Sequence, residues 1–94
     1  MKTQIKLEVE VLEEKGFSPT ELIITILENT ETSVFVETVL TELTSVGSIV
    51  ETSRREFPLS ALSVLNGYDT ELMQPTVDPI GINQLLANFG LKLK

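Results

Sequence analysis

Residues 4–12, QIKLEVEVL, alternate strictly, with Ile5, Leu7, Val9 and Val11 on one side and Lys6, Glu8 and Glu10 on the other. A period of two places successive side chains on opposite faces of an extended chain, so this segment reads as a strand with one wet and one buried face. Such a strand needs neighbours along its edges and an apolar layer under its buried face. A chain of 94 residues has room for one such arrangement, which predicts a single domain over residues 1–94.

The neighbours are supplied by the following runs. Lys15-Gly16-Phe17-Ser18-Pro19 breaks the alternation and marks a loop. Leu22 to Leu27 contains three Ile and one Thr in succession with Leu, side chains that lose rotamer freedom in a helix and pack well on a pleated sheet. Ser18-Pro19-Thr20-Glu21 has the spacing of a capping box, so a helix over 19–28 is the alternative to a strand. SVFVETVLTEL, residues 33–43, holds five β-branched residues, although Val36, Val39, Leu40 and Leu43 also fit a helical face. Its sequel favours a strand, because Thr44-Ser45-Val46-Gly47-Ser48 reads as a hairpin turn and IVETSRREF as a second β-type run.

Beyond Pro58, Asn66-Gly67 marks a turn between the apolar patch SALSVL and a strand expected at 69–77, where Pro75 lacks an amide donor and requires an edge position. One helix stands out. Asp78-Pro79 supplies its start, Ile82, Leu85, Leu86 and Phe89 its apolar face, and Gly90 the C′ position. The closing LKLK alternates like a further strand. Together the runs predict a mainly β fold, a small antiparallel β-sandwich with one short C-terminal helix. An α+β fold or small helical bundle, with 19–28 and 33–46 helical, is the alternative.

Two stretches carry a family resemblance. IITILENTETSVFVETVLTEL resembles the hairpin of immunoglobulin-like β-sandwich domains, in which a strand ends at Asn-Thr and the next begins with a small residue and Val. FPLSALSVLNGYDTELMQPTVD resembles the run in those domains where an aliphatic residue and a Gly turn precede a strand. The resemblance covers residues 20–78 and implies a sandwich and a tendency to bind other proteins. It implies no catalytic residue.

Composition narrows the chemistry further. The absence of Cys and His removes disulfide frameworks, zinc sites, thiol nucleophiles and His-based acid/base catalysis. Ser60 and Ser63 stand in no nucleophile motif, the paired carboxylates Glu8/Glu10 and Asp69/Glu71 have little aromatic surface beside them for a sugar, and no calcium loop is present. No enzyme activity, metal or cofactor is therefore expected. The longest uncharged stretch, 13 residues from Pro79 to Leu91, is too short to span a bilayer, and the charged N-terminus lacks the apolar centre of a signal peptide. A cytoplasmic protein without membrane attachment is expected.

All of the net charge of −7 falls in residues 1–53, and residues 54–94 sum to zero. Such a surface repels phosphate backbones, so direct nucleic-acid binding is not expected. The functional reading is a non-enzymatic interaction or structural module that binds a protein partner or associates with itself. The alternative is an acidic decoy or inhibitor of a basic nucleic-acid-handling partner. Candidate contact residues are Arg54 and Arg55, which point to opposite faces if they lie on a strand, and Asn83, Gln84 and Asn88, the uncharged polar face of the last helix. Leu91 and Leu93 complete the set as the apolar side of a terminal strand open to pairing with a neighbour's sheet. With no Cys or His among its ligands, the fold should hold without metal or redox partner: EDTA and reductant are expected to leave Tm unchanged in thermal denaturation, and a drop of several degrees with EDTA would reveal a bound ion.

Overall fold

A computed structural model of the chain describes residues 4–68 and 79–94. The strand expected at 69–77, with Pro75, and the helix start at Asp78 lie outside these. The described chain runs β1 (Gln4–Val11), β2 (Glu21–Asn29), β3 (Ser33–Thr44), β4 (Gly47–Pro58), α1 (Ala61–Asn66), α2 (Pro79–Leu86), a 3-10 turn at Ala87–Phe89 and β5 (Leu91–Leu93). The fold is mainly β with a short C-terminal helix, as the sequence predicts. The ambiguous segments 19–28 and 33–46 carry the strands Glu21–Asn29 and Ser33–Thr44, so the capping-box and helical-spacing alternatives do not form. β-branched packing on the sheet outweighs them.

The strands form one antiparallel sheet of five in the order β4-β3-β2-β1-β5. β1 changes partner midway: Gln4–Glu8 pairs with β2, and Val9–Val11 pairs with β5. Where a sandwich would set a second sheet, the described residues set helices. The reason is local. Successive strands β1 to β4 each fall beside the last, and the apolar residues after Pro58 then recur at helical spacing, Ala61 with Leu65 and Ile82 with Leu86. Helix α1 occupies the stretch SALSVL that the turn-based reading leaves as an unassigned apolar patch.

Alternation decides what is buried. Ile5, Leu7 and Val9 of β1, Leu22 and Ile24 of β2, Val34, Val36 and Leu40 of β3 and Leu91 of β5 share the inner face and meet Leu65, Ile82 and Leu86 from the layer above. The one buried polar side chain among the described residues, Thr38, is satisfied by Ser53, whose Oγ lies 2.8 Å from Thr38 Oγ1. The outer face is half-wet and carries the cross-strand ion pairs Lys6–Glu21 at 2.9 Å and Arg54–Glu37 at 3.8 Å. The Glu21 hydrogen bond and charge hold Lys6 above its ordinary pKa of 10.5, but both pairs are exposed enough to add little stability.

Two glycines set the turns. Gly90 adopts the left-handed conformation, φ 71°, that turns the chain from the 3-10 segment into β5, the C′ role expected of it. Gly47, φ 142°, closes the two-residue turn of the β3–β4 hairpin, where Thr44 Oγ1 accepts the Val46 N–H and donates to the Gly47 carbonyl. Beyond Thr41 this hairpin runs past β2 as a two-stranded ribbon, with Leu43 75% and Val46 95% exposed. Ile82 is fully buried beneath α2, so Ile82→Ala should cost about 2–5 kcal/mol in urea unfolding, while Leu43→Ala on the ribbon should stay within about 0.5 kcal/mol.

Candidate functional site

A sheet has two edges, and this one treats them differently. At the β5 edge, the hydrogen bonds Lys94 N–H to Glu8 O and Leu12 N–H to Gly90 O fix the register with β1 and turn the Leu93 amide outward. That amide donates to Asn83 Oδ1 at 2.8 Å. The edge is three residues long, its outward amide at Leu93 is capped by a side chain, and Leu91 is buried in the core. Leu91 and Leu93 thus serve the chain's own sheet.

The β4 edge is long. All 12 of its residues pair with β3 in unbroken register, without a bulge. The Leu59 N–H to Thr32 O bond continues the same register, so by ladder alternation the odd-numbered residues of β4 bond to β3. The backbone groups of Ser48, Val50, Thr52, Arg54 and Glu56 therefore point away from the sheet. Among the described residues no strand pairs with them. Natural proteins blunt such edges with proline, bulges or charge, and here only charge is used before Pro58.

A groove of about 770 Å³ runs beside this edge, between the inner side of β4 and helix α2, with Ser53, Arg55, Phe57, Gln84, Leu85 and Asn88 on its walls. Arg55 is one of its walls. Its guanidinium lies 4.3 Å from the centroid of the Phe89 ring, and Phe89 in turn meets Phe57 edge-on at 6.1 Å. Among the described residues no carboxylate lies within ion-pairing distance of Arg55, whereas its neighbour Arg54, on the outer face, is paired with Glu37. A second hollow, of about 420 Å³, continues past Arg55 toward Glu51, Leu40 and Phe17.

Four of the candidate contact residues meet here: Arg54, Arg55, Gln84 and Asn88 all line the groove. The two arginines do take opposite faces. Asn83, Leu91 and Leu93 lie instead at the β5 end of the sheet, with Asn83 spent on the Leu93 amide. Asn88 Nδ2 donates back to the Leu85 carbonyl at 3.1 Å and steadies the end of α2. The sequence reading gives no contact role to Ser53, Phe57, Leu85 or Phe89, of which the last two are read as the apolar face of the helix; carrying the alternation of β4 backward from Phe57 would have found the first two.

Among the described residues no cluster of three acidic side chains could hold a metal ion, and no helix is long and apolar enough to cross a membrane. Comparison with family models, curated proteins and solved structures gives no match to this chain. Replacing Asn83 with Ala leaves the outward Leu93 amide unpartnered: amide exchange at Leu93 should accelerate, and stability should fall by about 1 kcal/mol. Unchanged exchange there would show that the side chain does not cap the edge.

Proposed function

We propose that the chain is a non-enzymatic interaction module of the cytoplasm that takes up an extended segment of a protein partner along the outer edge of β4. One observation carries this reading: a 12-residue edge with outward backbone groups lies beside a groove lined by Phe57, Leu85 and an Arg that has no carboxylate partner among the described residues. In strand addition, backbone hydrogen bonds supply affinity and side-chain pockets supply selectivity, and this site offers both. The resemblance of residues 20–78 to immunoglobulin-like domains supports protein binding in the same general sense. The acidic-decoy reading keeps the net charge of −7 as its support, but several outer-face carboxylates are already engaged, Glu21 with Lys6, Glu37 with Arg54 and Glu10 with Lys92.

Proline at residue 52 separates edge pairing from other binding modes. The Thr52 N–H points outward, so Thr52→Pro removes a donor from the free edge and leaves the β3 ladder intact, whereas Thr52→Val keeps the donor. In purifications from native cells, the wild type and Thr52→Val should retain a protein partner that Thr52→Pro loses, with unchanged far-UV circular dichroism for all three. Equal retention by Thr52→Pro would overturn edge pairing.

A further inference from the structure

We infer that the segment received by the β4 edge is β4 of a second copy of this chain, antiparallel across a two-fold axis at Ser53. The inference rests on the edge-pairing reading and names its occupant. Residues 49, 51, 53, 55 and 57 share the inner side of β4, on the face that buries Phe57, and read Ile, Glu, Ser, Arg, Phe. With the axis at Ser53, residue 57 faces 49 of the partner, 55 faces 51, and 53 faces its own copy. Phe57 then meets Ile49, Arg55 meets Glu51, and Ser53 meets Ser53, and each of the first two contacts occurs twice by symmetry.

The backbone permits this register. Outward-pointing residues 50, 52, 54 and 56 pair with outward-pointing residues 56, 54, 52 and 50, as an antiparallel ladder requires. The charged contacts fall at the non-hydrogen-bonded positions of the new ladder, where opposed side chains approach most closely. On the outer side, Arg54 faces Thr52 and Glu56 faces Val50, so no like charges are opposed.

Neighbouring registers lack this fit. Moving the axis to Thr52 sets Arg55 against Ile49 and Glu51 against Ser53, with no charge matched; moving it to Arg54 or Arg55 opposes that arginine to its own copy, and moving it to Glu51 opposes two carboxylates. Charge and apolar complementarity therefore select one register. The structure leaves Arg55, Glu51 and Ile49 exposed for these contacts, whereas Phe57, 7% exposed, offers Ile49 only its rim. Arg55 has no carboxylate partner within the described chain, Ile49 is 51% exposed, and Arg55 lines both hollows. Because the axis runs perpendicular to the sheet, the helical layers of both copies fall on the same side and flank the joint.

Sedimentation of the full chain over a concentration series tests the pairing. The wild type should be a dimer in equilibrium with monomer. Arg55→Glu and Glu51→Arg each oppose like charges twice, and each should weaken the dimer by about tenfold or more, while the doubly exchanged chain E51R/R55E should recover it. Both positions are exposed, and circular dichroism should show each variant folded. A second probe reads the register directly. The chain has no Cys, so Ser53→Cys introduces a single thiol that should oxidise to a symmetric disulfide across the axis, whereas Ser48→Cys should not. A wild type that stays monomeric at all concentrations overturns the inference, as does a dimer indifferent to the charge variants or a Ser53→Cys chain that does not cross-link. If the chain stays monomeric yet Thr52→Pro still loses a different protein partner, only the occupant is wrong. If Thr52→Pro leaves all association unchanged, the edge-pairing reading itself fails.

Discussion

The inner face of the sheet is stable only while a second layer keeps water from Ile24, Val36 and Leu40, and among the described residues α1, α2 and the 3-10 turn that ends at Phe89 are that layer. At about 25 cal/mol for each Å² of apolar surface, this burial dominates the stability of a domain of this size. Among the described residues the layer does not reach across the whole sheet. It meets β4 at Phe57, and past that residue the inner row of β4 turns to Arg55, Ser53 and Glu51. Arg55 covers the boundary, its guanidinium laid over Phe89 and its charge facing the groove. The candidate site is thus the margin of the core, where apolar cover ends and free backbone begins.

The two edges show different solutions to one liability. Unpaired backbone on a sheet edge invites association with any extended chain. β5 answers by being short and by spending Asn83 on its outward amide at Leu93. β4 is four times as long and carries charges of both signs in place of a block. Charge repels indiscriminate apolar strands but attracts a strand with the complementary pattern, so an edge defended in this way is selective.

Much of this was written in local patterns. The alternation of QIKLEVEV fixed both the state and the facing of β1, and the C′ role of Gly90 followed from its position after Phe89. The β-branched content of 22–27 and 33–43 outweighed their helical spacing because those side chains lie on a pleated, half-buried surface. What stayed hidden depended on distance along the chain. That Phe89 lies beneath Arg55, or that Asn83 reaches Leu93, follows from how the helical layer settles on the sheet, which no spacing in the sequence encodes. Leu91 and Leu93 looked available because an alternating terminal run is the same whether it completes its own sheet or another's. Helix α1 was obscured by Ser60, Ser63 and the Asn-Gly turn, and only the burial of Ala61 and Leu65 together explains its form.

Net charge separates the self-pairing and decoy readings by the sign of their salt dependence. Two copies each carrying −7, about 30 Å apart in water, repel by roughly 7 kcal/mol before screening. At low ionic strength much of that survives, because the screening length is then comparable to the separation; near physiological salt it largely vanishes. The exposed Arg55–Glu51 contacts lose far less on screening, since exposed pairs contribute only a fraction of a kcal/mol each to about one. Pairing of copies should therefore tighten as salt rises from low to physiological. A complex with a basic partner should weaken over the same range, because there the long-range interaction is attractive. Dissociation constants measured across that range would assign the edge to one class of partner, and weakening with salt would count against a second copy of this chain.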